Sequence, residues 1–200
     1  MMTHRRSLLW FCFAAAVAPV PVQAQDTARA ALIAELRRGG YVLYVRHAET
    51  AATPEPQVRD LADCQWQRNL NEAGRRQATA LGDVLRADGV TFTTIEASPF
   101  CRAIQTAELM FGHPPKIDDV LFYHVSQSPE QIAAGTAALK ARLARTPASG
   151  NAVLVGHAPP FKRAAGIELS EGQGAFIKPG AAGAFKIVAL VSPDGISPAP

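Results

Sequence analysis

Apolar residues are arranged along this chain in two ways. Tyr41–Val45 (YVLYV) and Ala152–Val155 (AVLV) are continuous apolar runs, the pattern of strands buried on both faces. Elsewhere the apolar positions recur every three or four residues. Ala28, Ala31, Leu32 and Leu36 form one stripe and predict a helix over Asp26–Arg38, stopped by Gly39-Gly40. Ala78, Leu81 and Leu85 predict a second helix over Asn71–Ala87, with Asn69 or Asn71 available to cap it and Gly89 to end it. Thr93–Ala97 favours a strand, and Ser98-Pro99 then opens a helix over Phe100–Phe111. Further helices are predicted over Pro129–Arg145 and Pro160–Ala165, with Ile132, Leu139 and Leu143 of the first facing inward. Ala175–Lys178 and Ala184–Val191 read as strands, either a hairpin at the sheet edge or two strands with other neighbours. Ala51–Arg68 is a long polar loop, Lys116–Tyr123 has no clear class, and the Pro-rich Ser192–Pro200 reads as a frayed tail.

Strands buried on both faces, alternating with helices, predict an α/β three-layer sandwich: a mainly parallel central sheet with helices on both sides. The length of 200 residues fits one domain. The first 24 residues are an exception. Arg5 and Arg6 precede an apolar stretch broken by Pro19 and Pro21, and Val22-Gln23-Ala24 fits a small-x-small cleavage rule. This is the layout of a signal peptide, residues 1–24, leaving a mature domain of residues 25–200 in the periplasm or outside the cell. The stretch is too short to span a membrane, which takes about 20 apolar residues.

Export changes the charge balance. Arg5 and Arg6 leave with the signal, so 20 basic residues become 18 against 17 acidic ones, and the net charge falls from +3 to +1. No block of Lys and Arg remains, and basic residues do not interleave with aromatic ones, so nucleic acid is not an expected partner. Cys12 also leaves, and Cys64 and Cys101 remain as an even pair in an oxidising compartment, where they form either a disulfide or two separate buried thiols. The two are too few and too widely spaced for a metal site.

The candidate chemistry sits where the strands end. Tyr41–Val45 runs into Arg46 and His47, and Ala152–Val155 runs into Gly156 and His157. In parallel α/β sheets ligands bind outside the carboxyl ends of the strands, so these histidines are expected on one rim although they stand 110 residues apart. Thr93–Ala97 ends on that rim too, placing Arg102 in the first turn of the next helix with Thr106 one turn on. A cation at that end opposes the helix dipole and makes sense beside a bound anion. Arginine forks match phosphate or carboxylate oxygens, and a neutral imidazole can attack phosphorus. Arg59, Asp60, Asp63, Gln67 and Arg68 are possible rim groups, each better read as part of a solvated loop.

VRHAET at Val45–Thr50, SPFCRAIQTA at Ser98–Ala107 and VGH at Val155–His157 resemble the three signature segments of the histidine phosphatase superfamily, whose fold is phosphoglycerate mutase-like. The resemblance spans roughly Tyr41–Val191. It implies that His47 is the phosphorylated nucleophile, that Arg46, Arg102 and His157 bind the phosphoryl group, and that His157 belongs with His47 to the catalytic pair. It implies no metal and no other cofactor, because the arginines supply the positive charge. Ala48 stands where the family usually has glycine. His157 is followed by Ala158-Pro159 rather than the aspartate of the acid phosphatase branch, and the local glutamate motif of the mutase-like branch is absent. Asp118, Asp119, His124 and Glu130 are the positions available for a general acid, unless there is none; Glu49 is read as orienting loop groups.

The expected protein is therefore an exported phosphomonoesterase acting on a small-molecule or glycan phosphate ester. The alternative from another class is a non-catalytic module that keeps the pocket to sense phosphate or a phosphorylated glycan.

Overall fold

The computed structural model describes residues 22–54, 61–123 and 126–199. Residues 1–21 of the expected signal, with Arg59, Asp60 and His124, lie outside them. Helices α1 (Val22–Arg38), α2 (Glu72–Ala87), α3 (Cys101–Phe111), α4 (Pro129–Leu143) and α5 (Ala158–Ala165) surround seven strands. These are β1 (Val42–Arg46), β2 (Phe92–Ala97), β3 (Lys116–Ile117), β4 (Asn151–Gly156), β5 (Gly174–Pro179), β6 (Phe185–Ser192) and β7 (Gly195–Pro198). They form one sheet in the order β3-β2-β4-β1-β5-β6-β7.

The two continuous apolar runs lie at the middle of this sheet, paired in parallel from Val42↔Ala152 to Arg46↔Gly156. β2 and β3 extend the parallel part on one side, while β5, β6 and β7 add antiparallel pairs on the other. β6 reverses β5, so five of the seven strands run in one direction. The β5–β6 pair is the expected hairpin, and it lies against β1 rather than at the free edge.

Period-two alternation sends the core strands' side chains to two faces. Leu43, Val45, Val153, Val155 and Phe176 pack in one core with Leu36 of α1, Leu81 and Leu85 of α2 and Met110 of α3. Val42, Tyr44, Leu154 and Ile177 pack in a second with Leu139 and Leu143 of α4 and Phe161 of α5. These are the three expected layers. Asn151 opens β4 fully buried and fully used: its Oδ1 accepts from Tyr41 N at 3.0 Å, and its Nδ2 donates to Leu36 O and Thr91 O at 2.8 and 3.0 Å.

Two expectations change. α4 stops at Leu143 rather than Arg145, and Ile132 is only half-buried on it. Residues 192–199 are not frayed: Gly195–Pro198 is β7, with Ile196 buried and its carbonyl accepting from Arg29 Nε at 3.1 Å, while Pro200 lies outside the described residues. Pro193-Asp194 makes the turn back onto β6, and Gly195, paired with Ser192, opens β7 at φ +131°.

α2 and α3 cross closely because Gly82 has no side chain; a Cβ there would stand 2.3 Å from the Met110 carbonyl oxygen. Gly82→Ala must push the helices apart and is expected to cost about 1–3 kcal/mol, read as a lower urea midpoint.

Candidate active site

The β1–β4 register brings the two histidines together. Arg46 pairs with Gly156, His47 N donates to Gly156 O at 2.9 Å, and the His47 and His157 rings stand 5.3 Å apart edge to face. β2 ends beside them, with Ser98 N donating to Val155 O at 2.9 Å. His47, His157, Arg46 and Arg102 thus line one cavity of about 300 Å³, joined by Arg68, Phe100, Tyr123, Ala158, Pro159 and Glu168.

Both histidines are buried and held. The Nδ1 of His47 lies 2.9 Å from the Ala48 carbonyl oxygen. A carbonyl can only accept, so Nδ1 carries the hydrogen and Nε2 keeps its lone pair. Burial, with the nearby charges of Arg102, Arg46 and Arg68, lowers the His47 pKa to about 3, against the opposing hydrogen bond to Ala48. Burial also holds His157 well below its ordinary pKa, followed by His47 and the same three arginines. His157 Nε2 shares a hydrogen bond with Ser98 Oγ at 2.9 Å. Its backbone is held by the Tyr44 hydroxyl, which accepts from His157 N–H and donates to His157 C=O, each at 2.9 Å. Gly156 makes room for that hydroxyl: a Cβ would stand 2.3 Å from it.

The arginines are placed by different means. Arg46 leaves the end of β1; its Nη1 donates to Leu169 O at 2.9 Å and its Nη2 stands 3.4 Å from Glu171. Its buried Nε has no hydrogen-bond partner among the described residues. Glu171 also accepts from Thr50 Oγ1 at 3.0 Å, so it ties the segment after α5 to both ends of RHAET. Arg102, in the first turn of α3, is 4% exposed, with its guanidinium 4.3 Å from the centre of the Phe100 ring. Phe100 stacks on Phe122 at 5.6 Å and meets His157 edge-on at 5.2 Å. Thr106 takes no place in the cavity lining; its hydroxyl donates to Arg102 O at 2.7 Å and accepts from Ala48 N at 3.0 Å, locking α3 to the turn after His47.

The candidate acids lie elsewhere. Asp118 caps a short 3-10 turn and pairs with Arg142 at 3.0 Å. Asp119 lies in that turn. Glu130 is exposed and accepts from Ser128 at 2.8 Å. None of these three lines the cavity. Among the described residues the carboxylate that does is Glu168, 2.6 Å from Lys162, whose hydrogen bond and charge lower its pKa from the ordinary value. Glu49 accepts from Asn71 at 2.7 Å and stays outside the cavity, in the orienting role expected of it.

Sequence reasoning undervalued Arg68 and missed Tyr123, Glu168 and Glu171. Arg68 follows an irregular stretch with no periodicity. Glu168 and Glu171 follow α5, where only the return of the chain to β1 through β5 brings them to the rim. Of the two readings open for Cys64 and Cys101, the structure shows the disulfide, with Cα atoms 5.7 Å apart.

Comparison with known proteins agrees with this fold. The family model of the histidine phosphatase superfamily (branch 1) matches residues 42–122, a span that holds Arg46, His47, Arg68 and Arg102. No curated protein matches the chain. Among solved structures, the protein histidine phosphatase SixA complexed with tungstate is 18% identical with a TM-score of 0.57, over 77% of this chain and 97% of that one. The alpha-ribazole phosphatase from Shigella flexneri is 18% identical with a TM-score of 0.52, over 74% and 94%. A phosphoserine phosphatase mutant from Entamoeba histolytica, in complex with phosphoserine, is 14% identical with a TM-score of 0.54, over 76% and 97%. These likenesses are of fold, and over residues 42–122 the chain is similar to the histidine phosphatase superfamily.

Proposed function

We propose that this protein is a phosphomonoesterase that works through a phosphohistidine on His47, without a metal, on a small-molecule or glycan phosphate ester outside the cytoplasm. The observation that carries the reading is the tautomer of His47. Its Nδ1–H is spent on the Ala48 carbonyl, and Nε2 keeps a lone pair in a cavity lined by three guanidinium groups.

In the first step Nε2 attacks phosphorus while the bond from phosphorus to the ester oxygen breaks. The bonding electrons leave with that oxygen, which takes up a proton. In the second step water attacks the phosphohistidine, the P–N bond breaks, and the imidazole and inorganic phosphate are released. Phosphoryl transfer asks mainly for positioning and for positive charge around the three non-bridging oxygens. Arg46, Arg68 and Arg102 supply that charge, and His157 stands beside His47 as the second phosphate-binding imidazole. Glu168 faces the same cavity as an ionised carboxylate, so it is better suited to orient a leaving group than to protonate it. Leaving groups that depart readily, such as phenols or a phosphorylated imidazole, fit this site best. The similar structures include a protein histidine phosphatase and a phosphoserine phosphatase mutant in complex with phosphoserine, in keeping with a site for phosphate monoesters and phosphoramidates. Export is supported by the disulfide, which persists in oxidising compartments.

His47→Ala is expected to lower hydrolysis of an aryl phosphate such as p-nitrophenyl phosphate by at least about 10³-fold, roughly what loss of a covalent nucleophile costs. Retained turnover overturns the mechanism. The neutral histidines also make stability pH-dependent. In the unfolded chain they take up protons as the pH falls below about 6.5, while burial keeps His47 unprotonated in the folded protein down to about 3. Stability present above about pH 6.5 is therefore lost as the pH falls towards 3. The urea midpoint is expected to drop between about pH 7 and pH 5, and to drop less in His47→Asn.

A further inference from the structure

Arg68 is the cavity cation with the least regular support. It follows a 3-10 turn at Cys64–Trp66, and from residue 61 to residue 69 the buried side chain is that of Gln67, 4% exposed. Trp66 is 39% exposed, so apolar burial does not fix this segment. Covalent and polar ties do. Cys64 is bonded to Cys101, the first residue of α3 and the neighbour of Arg102. Gln67 Oε1 accepts from Cys101 N at 2.8 Å, and Gln67 Nε2 donates to Leu61 O at 2.9 Å. Asn69 Nδ2 donates to Cys64 O at 2.6 Å, and Asn69 O accepts from Ala51 N at 3.1 Å. Arg68 thus stands between two anchored residues, and two of the ties converge on Cys101. The charge of Arg68 reaches both imidazoles of the cavity.

We propose that the Cys64–Cys101 disulfide, with Gln67, is a positioning device for phosphate binding: it fixes Arg68 against the cavity opposite Arg102, so the oxidised protein holds phosphate groups more tightly than the reduced one. This rests on the reading of the cavity as a phosphate site. Arginine has much rotamer freedom, and a loop free to move adds backbone freedom; both must be given up to form a fixed guanidinium–phosphate contact. With the disulfide closed, the backbone part is already given up on folding. Reduction is a two-electron step: a dithiol such as dithiothreitol donates two electrons and two protons, Cys64 and Cys101 become thiols, and the dithiol becomes a cyclic disulfide. Cys64 is half-buried and Cys101 is 4% exposed, so attack is expected at the Cys64 side.

The test uses the full chain and inorganic phosphate. Its Kd is measured by calorimetry, alongside kcat for p-nitrophenyl phosphate, in the oxidised protein, the dithiothreitol-reduced protein and the Cys64→Ser/Cys101→Ser double variant. Each is repeated in an Arg68→Ala background. Loss of the disulfide is expected to weaken phosphate binding about tenfold, the scale of one charge-assisted contact, with a smaller change in kcat. In Arg68→Ala the same loss is expected to change Kd little, because the disulfide acts through that side chain. Should the double variant not fold, reduction and reoxidation of the wild-type protein, with far-UV circular dichroism unchanged, gives the same reading. A Kd indifferent to the disulfide, or one that weakens equally with and without Arg68, overturns the proposal. Oxidised wild-type protein that fails to bind phosphate overturns instead the reading of the site itself.

Discussion

Three guanidinium groups and two buried imidazoles share one cavity, and the consequence is electrostatic. Burial disfavours a charged imidazole most, and the neighbouring guanidinium charges add to it, so both imidazoles stay neutral. A neutral histidine with its Nδ1–H committed to a carbonyl is a nucleophile at ordinary pH. The cations that add to burial in keeping it neutral are the ones that would surround the oxygens of an incoming phosphoryl group. Charge crowding therefore serves both halves of the site: it adds to burial in emptying the proton from His47, and it creates the attraction for an anion.

The fold sustains this crowding by making it rigid. The pairing of Arg46 with Gly156 is one rung of the central β1–β4 ladder, and the histidines follow one residue later on both strands. A slip of that register by one residue would send every side chain of the strand to the opposite face, separating His47 from His157 and exposing the two apolar cores. Core packing and active-site geometry thus depend on the same register. Around it, each site residue is tied from a second element: His157 by Tyr44 and Ser98, Arg46 by Leu169 and Glu171, the turn after His47 by Thr106. These ties cross between elements distant in the chain, so the site forms only when the whole sheet does.

That distribution explains what was legible in the sequence. His47, His157, Arg46 and Arg102 follow strand ends or open a helix, where hydrophobic patterning and the rules for parallel sheets carry the inference. The layers and the order of the helices were readable on the same grounds, while the even count of cysteines left the Cys64–Cys101 pairing open. Arg68 was named but undervalued, because its position comes from Gln67, Asn69 and the disulfide and not from any periodicity. Glu168 and Glu171 reach the rim only because β5 turns back antiparallel against β1, a pairing that no local pattern announces. Asp118 shows the converse: its place in the chain suits a general acid, but it is occupied with Arg142 and with capping the turn at Asp119–Leu121. The final strand was lost to its prolines, one of which, Pro193, sits in the two-residue turn that forms it.

The central claim is that His47 carries the phosphoryl group in transit. It is tested most directly by mixing the protein with a radiolabelled phosphate donor such as acetyl phosphate, quenching within milliseconds in alkaline denaturant, and mapping the label to a peptide. The account predicts label that survives alkali, is lost in acid, and lies on the peptide containing His47. Turnover of the donor with no label on His47, or label on His157 in its place, would contradict it.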